Sequence, residues 1–453
     1  MRPWHPALVS FGLLALAVTP WPGDWDAVGF ASAVTRFDLS AFSPHPPGYP
    51  VYVLLSRALN VVARSPVIAC GLASALGAAL AVLALARSIP SRPWAALLAL
   101  ASPALALAGT SARSDAPGLG LAALACASRD PFAAGALLSL ALGARPAYAV
   151  LVASIAVALA ASFDRRGRLA MLSTFTVVTA GWAAWLALAS GGVARYVALT
   201  RAHVEGHFGE WGGSALTRPD TAERLRDTAR SITAGLGLDA TPHGAIRALA
   251  WLTLAALGLR ALTPRLRWTL AAVIAPYALV AYFTQNVSAG SRHMLPVTLA
   301  IAALAANGAA SLASAVRAST LRAGLLAALG ALLAWPSFIA VTTQRRVMPP
   351  GVAIAREVLA QHPRRDALVF GGRSARLTGW AGQPAKTVVY MGEVDVTLGR
   401  LDRLPGAVYV TDEVTATGRP AGTFGASFTR CRASVIDRAA TCVTVRRYDV
   451  LGR

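Results

Sequence analysis

Charge is what this chain has least of. Only 14% of its 453 residues are Asp, Glu, Lys or Arg, against 55% hydrophobic residues and a mean hydropathy of +0.54. Soluble domains are about a quarter charged, so a water-soluble enzyme of this size is set aside. Lysine is almost missing, Lys386 being the single one, and acids are half as numerous as bases, 21 against 42. The resulting net charge of +21 could suggest nucleic acid, but no helix-turn-helix, finger or RNP pattern accompanies it. Much of the arginine sits in short loops between apolar runs, which positive-inside topology explains and nucleic-acid binding does not. No phosphate-cradling GxGxxG or Walker pattern is present either.

What is present is a series of apolar runs approaching the roughly 20 residues that cross a bilayer. Met1 to Pro6, followed by the run Ala7 to Pro20, has the parts of a signal peptide without a small-x-small cleavage site, and reads as an uncleaved signal anchor. Further candidate spans lie near 66–87, 94–110, 116–128, 131–144, 146–162, 169–190, 246–262, 268–285, 294–313 and 320–341. With a cytoplasmic N-terminus, Arg87, Arg92, Arg129, Arg165, Arg166, Arg168, Arg260, Arg265, Arg267, Arg317 and Arg322 all fall inside, while Asp24, Asp26, Asp38 and Asp115 fall outside. This parity requires Tyr49 to Ala63 not to span, and that segment, with Arg57 and Arg64 and a Pro-rich turn before it, suits a helix lying in the interface.

Composition shifts near residue 345. Residues 345–453 hold 17 basic and 9 acidic residues, against 37 charged residues in the first 344. Helical spacing over Ala353 to Gln361 and short β-rich runs at Ala367 to Gly371, Thr387 to Met391, Ala407 to Thr411 and Cys442 to Val445 predict an α/β unit exposed to water. The expected organisation is thus a membrane module over 1–344, with a first outer loop at 21–65 and a large outer loop at 191–245, followed by an extracytoplasmic unit over 345–453. Cys70 and Cys126 lie in apolar spans and are expected to be buried small hydrophobes. Cys431 and Cys442 fall in the outer unit, where a disulfide and two free thiols are both open, since spacing fixes no geometry.

The first outer loop is the most informative stretch. It reads Gly23-Asp24-Trp25-Asp26-Ala27-Val28-Gly29-Phe30, then Arg36-Phe37-Asp38, then Pro44-His45-Pro46-Pro47-Gly48-Tyr49-Pro50. Acids at headgroup depth are costly unless paired, hydrated or functional; the plain alternative is that Asp24 and Asp26 are solvated residues flanking an anchor.

Taken together, D-W-D-A-V-G-F and P-H-P-P-G-Y-P-V-Y resemble the first periplasmic loop of the GT-C superfamily, membrane glycosyltransferases that use polyprenyl-phosphate sugars, and within it the protein O-mannosyltransferase-like branch. The resemblance covers about 40 residues strongly and the remainder through architecture. With the apolar runs, about eleven counting the anchor, and the composition shift near 345, it gives the expected fold: an all-α, GT-C-like polytopic membrane protein with a small C-terminal α/β domain. It also implies an inverting transfer from a polyprenyl-phosphate sugar to a hydroxyl acceptor at the outer face of a bacterial inner membrane, with lipids as surroundings and no nucleic acid.

In that branch an Asp in a D-x-x-x-F pattern is the base. Asp26 with Phe30 fits the spacing and Asp24 does not. Some relatives carry an acid just before the Phe, where this chain has Gly29, so a second carboxylate is not available there. Arg292-His293, in S-R-H-M-L-P, is similar to the R-x-x-x-P element before a late span and is read as donor-phosphate binding, against plain interfacial anchoring. Arg145 is read as a substrate contact or a snorkelling arginine. Asp115 either assists Asp26 and the acceptor or caps the following helix.

His45, Pro47 and Tyr49 are placed beside the acceptor, the plain reading being a rigid Pro loop with interfacial aromatics. His203 and His207 have the i, i+4 spacing of a metal pair, but H-E-x-x-H is absent and Gly206 intervenes. H-F-x-x-W-G-G-S instead resembles a substrate-contacting loop, so His207 is grouped with the acceptor residues and no metal ligand is assigned. A cofactor is not called for, and dependence on a divalent cation stays open. Competing classes are a transporter or flippase of lipid-linked sugars, which would favour internal repeats and midplane charges, and a non-catalytic membrane scaffold.

Overall fold

The computed structural model describes residues 2–89, 92–287, 290–315 and 319–350, four further residues up to 360, and seven strands between 368 and 450. Sixteen helices follow one another among the described residues. They are α1 (Trp4–Leu16), α2 (Trp25–Thr35), α3 (Pro50–Ala63), α4 (Pro66–Ser88), α5 (Arg92–Ala101), α6 (Pro103–Thr110), α7 (Asp115–Cys126) and α8 (Pro131–Ala144). After these come α9 (Ala149–Ala160), α10 (Arg165–Ala189), α11 (Val193–Gly206), α12 (Thr221–Gly235), α13 (Pro242–Ala261), α14 (Pro264–Thr284), α15 (Leu295–Ala315) and α16 (Ser319–Arg346).

Among the described residues, six stretches are helical, long and apolar enough to cross a bilayer: Pro66–Ser88, Arg165–Ala189, Pro242–Ala261, Pro264–Thr284, Ser291–Ala315 and Ala327–Arg346. A seventh crossing arises if α5 and α6 are taken as one span, but they meet at an angle of 81°. The expected span at 94–110 is therefore broken, at Ser102-Pro103, where proline disfavours helical backbone in the residue before it. The other expected spans are short. α7 has 12 residues and α8 has 14, rising about 18–21 Å against a hydrocarbon core of about 30 Å. The count of eleven is thus not reached by length and composition.

Small residues bring helices together at backbone distance. A Cβ on Gly120 of α7 would stand 1.9 Å from the carbonyl oxygen of Gly77 in α4. Gly258 of α13 and Gly308 of α15 are reciprocal: a Cβ on the first would meet Leu304 O at 1.9 Å, and on the second Leu254 O at 1.9 Å. Cys70 is buried in α4, as expected, whereas Cys126, the last residue of α7, is exposed. α3 is too short to span, and buries Tyr52, Val53 and Ser56 while leaving Val61 and Val62 open.

The segment 191–245, expected as a large outer loop, is not wholly separate from the bundle. α12 is capped by Asp220, whose carboxylate accepts from Glu223 N at 2.9 Å. Its far end docks on the broken span: Ser102 Oγ donates to Gly235 O at 2.8 Å. Arg224 fixes the near end, donating to Gly213 O at 2.7 Å and Gln285 O at 3.2 Å.

In the C-terminal part, strands β1 (Leu368–Gly371), β2 (Lys386–Val389), β3 (Val396–Thr397), β4 (Val408–Thr411), β5 (Ala416–Thr417), β6 (Gly422–Ala433) and β7 (Ala440–Val450) are described. Five form one mixed sheet in the order β2-β1-β4-β7-β6, and β3 pairs with β5. β1, β2 and β4 are parallel, while β6 and β7 are antiparallel with Cys431 opposite Cys442 in a disulfide. Most of the expected helix at 353–361, including Gln361, lies outside the described residues, as does Ala367.

Candidate active site

The site begins at the cap of α2. Asp24 accepts from Ala27 N at 2.9 Å and also pairs with Arg113 Nη2 at 2.5 Å. That cap puts Asp26 in the first turn, where the partial positive charge of a helix N-terminus favours an anion. Asp26 has two further neighbours. Arg292 Nη1 donates to its Oδ2, and His45 Nδ1 lies 3.6 Å from its Oδ1.

His45 is delivered by a tightly folded loop. Asp38 caps the turn Leu39–Ala41, accepting from Ser40 N at 3.1 Å and Ala41 N at 3.3 Å, and its backbone bridges to Ser43. Gly48 has φ +105°, and a Cβ there would come within 2.7 Å of Leu186 Cδ1, so glycine is demanded at this point. The chain then returns so that His45 Nε2 and Tyr49 Oη are 2.6 Å apart, with both rings against Phe30. Pro47 contributes only its carbonyl oxygen, which accepts from Tyr196 Oη of α11 at 3.4 Å. His203, also of α11, stacks near His45 with ring centroids 5.7 Å apart.

A second ion pair lies beside the first. Arg145 Nη2 stands 3.0 Å from Asp115 Oδ1, both side chains at most 5% exposed, and Arg145 Nη1 donates to Ser114 Oγ at 3.3 Å. Ser114, not Asp115, occupies the cap position of α7, so the capping role considered for Asp115 is replaced by the pair with Arg145. The Arg145 guanidinium lies 5.7 Å from the Tyr49 ring centroid, linking the two pairs. Gly118 allows this approach, since a Cβ there would meet Arg145 Cβ at 2.5 Å. Snorkelling does not describe a buried, paired arginine.

His293 is buried next to Arg292, which donates from Nε to His293 Nε2 at 3.3 Å, while Tyr277 Oη donates to His293 O at 2.7 Å. The structure thus gathers Asp26, His45, Tyr49, Asp115, Arg145, Arg292 and His293. It keeps His207 apart: its Nε2 is 2.8 Å from Thr284 O, at the end of α14. Among the described residues, no three His, Cys, Asp or Glu side chains gather as a metal-binding set.

Electrostatics follow from these neighbours. Burial pushes the Asp26 carboxyl up, but the Arg292 guanidinium, then His45 and Arg145, more than offset this and hold it well below the usual carboxylate range. Burial pushes the Tyr49 hydroxyl up to about 12. Burial, helped by His45 and His207, brings His203 down to about 4.

Sequence reasoning missed three residues here. Arg113 was legible in principle, because an arginine in an otherwise acidic outer loop runs against the charge rule and calls for a partner. Tyr148, buried with no hydrogen-bond partner for its hydroxyl among the described residues, and Tyr277 carry no such signal among apolar residues.

Two solved structures share the architecture that positions this site. The crystal structure of ArnT from Cupriavidus metallidurans bound to undecaprenyl phosphate matches with a TM-score of 0.53 at 14% identity, over 97% of this chain and 96% of that one. The same protein in the apo state matches with a TM-score of 0.54 at 11% identity, over 98% and 97%. The chain has the ArnT fold. At such identity the likeness is one of fold, over nearly the full length of both chains. It supports the GT-C fold implied by the first loop and does not extend to the O-mannosyltransferase-like branch or its HPPGYP element. No family model and no curated protein sequence matches this chain. The polar cluster described above is therefore read on its own geometry, inside the ArnT fold.

Proposed function

We propose that this protein is an integral-membrane inverting glycosyltransferase that moves a sugar from a polyprenyl-phosphate donor to an acceptor hydroxyl, at the outer face of a bacterial inner membrane. The observation that carries the reading is Asp26 held between Arg292 and His45, beside the Asp115–Arg145 pair. The undecaprenyl phosphate named in one ArnT structure supports a lipid-phosphate donor.

In the proposed reaction Asp26 accepts the proton of the acceptor hydroxyl as that oxygen attacks the anomeric carbon. The bond from that carbon to the phosphate oxygen breaks on the opposite side, and its electron pair leaves with the lipid phosphate. Arg292, with His293 beside it, and Arg145 are the donor-phosphate residues, because guanidinium groups match phosphate oxygens in charge and shape. Each of these arginines is paired with a carboxylate, so the two pairs are close to charge balance. A phosphate competing for Arg292 frees the Asp26 carboxylate to act as base. Asp115 positions Arg145. His45, Pro47 and Tyr49 border the acceptor side; His207 belongs to a loop contact farther out. Residues 1–344 form the transferase module and 345–453 an extracytoplasmic unit.

The test is transfer of radiolabelled sugar from a panel of polyprenyl-phosphate sugars into total membrane acceptors, in reconstituted vesicles, by wild type and Asp26→Asn. Signal from one donor that vanishes in the variant is the expected result and names the sugar. Equal signals from both proteins would remove Asp26 as base, and a donor that crosses the bilayer without being consumed would replace the reading with a flippase.

A further inference from the structure

His45 has a polar neighbour at each ring nitrogen, and the two neighbours differ in kind. Tyr49 Oη is 2.6 Å from Nε2, and the Asp26 carboxylate is 3.6 Å from Nδ1. A carboxylate accepts hydrogen bonds and does not donate them. A lone pair on Nδ1 facing it would be repelled, whereas an N–H facing it is attracted. The hydroxyl on the other side completes the choice. Tyr49 is buried and keeps its proton, burial having pushed it up to about 12. It can donate into the Nε2 lone pair, and a neutral imidazole that accepts at Nε2 carries its own proton on Nδ1.

We infer that His45 is a positioning residue for Asp26, held by Tyr49 in the Nδ1–H tautomer so that this N–H orients Oδ1 of the carboxylate. The inference rests on the reading of Asp26 as the base. The separation of 3.6 Å is longer than a hydrogen bond. Catalytic contacts are often long before substrate binds and tighten in the complex. Arg292 holds Oδ2, and once a donor phosphate competes for Arg292, His45 Nδ1 is, among the described residues, the nitrogen left facing Oδ1 of the carboxylate. His45 is not itself the base, since its second nitrogen is occupied by Tyr49.

Two measurements on the full chain in lipid nanodiscs test this. The first needs no substrate: nitrogen-15 spectra of labelled histidine at about pH 8, above the usual titration of the side chain, with His45→Asn assigning the signal. The Nδ1–H tautomer is expected in wild type, giving way to a mixture in Tyr49→Phe. The Nε2–H tautomer, or an imidazolium, in wild type would overturn the inference. The second compares two amides in the transfer assay. Asn places an N–H near the Nδ1 position and Gln near Nε2, so His45→Asn should keep kcat within about tenfold, while His45→Gln loses about a hundredfold with donor KM unchanged. Equal activity of both variants, in a protein that Asp26→Asn inactivates, would also overturn it. Absence of transfer by wild type counts against the proposed function, and the spectra then decide the tautomer alone.

Discussion

Arg292 Nη1 donates to Asp26 Oδ2 across a separation of 266 residues, joining the first turn of α2 to the short turn that opens α15. Replacing Arg292 by Ala leaves burial to push the Asp26 carboxyl up, opposed only by His45 and Arg145. Fewer Asp26 side chains are then ionised at a given pH, so the acid limb of kcat/KM, which reports the free enzyme, moves to higher pH, and donor KM rises more than acceptor KM. An unmoved acid limb with unchanged donor KM would separate Arg292 from the site.

The same pair predicts a pH dependence of stability. A carboxyl lowered in the folded state contributes stability that is present above its ordinary value and lost as pH falls toward the lowered one. The difference in thermal stability between wild type and Arg292→Ala should therefore be full where Asp26 is ionised in both proteins, and shrink as pH falls through the raised value of Asp26 in the variant. A gap that widens as pH falls would contradict the assignment.

Asp115 and Arg145 are more deeply buried, and removing one partner strands the other charge. Asp115→Ala or Arg145→Ala should each cost about 3–5 kcal/mol, while Asp115→Leu with Arg145→Met recovers most of it. Thermal unfolding in detergent reads both, and transfer should stay lost in the double variant.

Gly308→Ala should destabilise by about 1–3 kcal/mol or more, because its Cβ would stand 1.9 Å from the Leu254 carbonyl oxygen, a backbone atom that cannot rotate away. Gly209→Ala, with open space at the Cβ, is the control and should unfold within a degree or so of wild type.

Reporter fusions after Arg168 and after Arg453 should report opposite sides of the membrane. Alkylation under denaturing, non-reducing conditions should label Cys70 and Cys126 only, the other two being joined. Labelling of all four thiols would place the β6–β7 hairpin in a reducing compartment.

The individual charged residues of the site were legible because charge is so rare here. Asp26, Asp115, Arg145 and Arg292 stand out in a chain of this hydropathy, and all four meet in one cluster. Their pairing was not legible: spacing cannot couple Asp26 to a residue 266 positions away. The short-helix architecture was only partly so. Pro103 carried the signal for the break in the 94–110 run, but an apolar window reads straight through it. Beyond Asp115, α7 is as apolar as α8, and their shortness shows only where Arg129-Asp130 and Arg145-Pro146 interrupt them. Strand β6 escaped notice because Gly422–Ala433 mixes Gly, Ser and Arg with few β-branched residues.

The reciprocal glycines of α13 and α15 carry a mechanical consequence. Where Gly258 meets Leu304 and Gly308 meets Leu254, main chain rests on main chain, and no side chain lies between to change rotamer and let one helix slip along the other. α15 therefore cannot advance or retract by itself to carry Arg292 away from Asp26. The freedom has to come from the arginine's own torsions and from the turn that holds it, where Gly290, at φ +91°, is a backbone joint with open space around it. The bundle behaves as a fixed frame, and the travel needed to release the carboxylate is confined to a few bonds just ahead of α15.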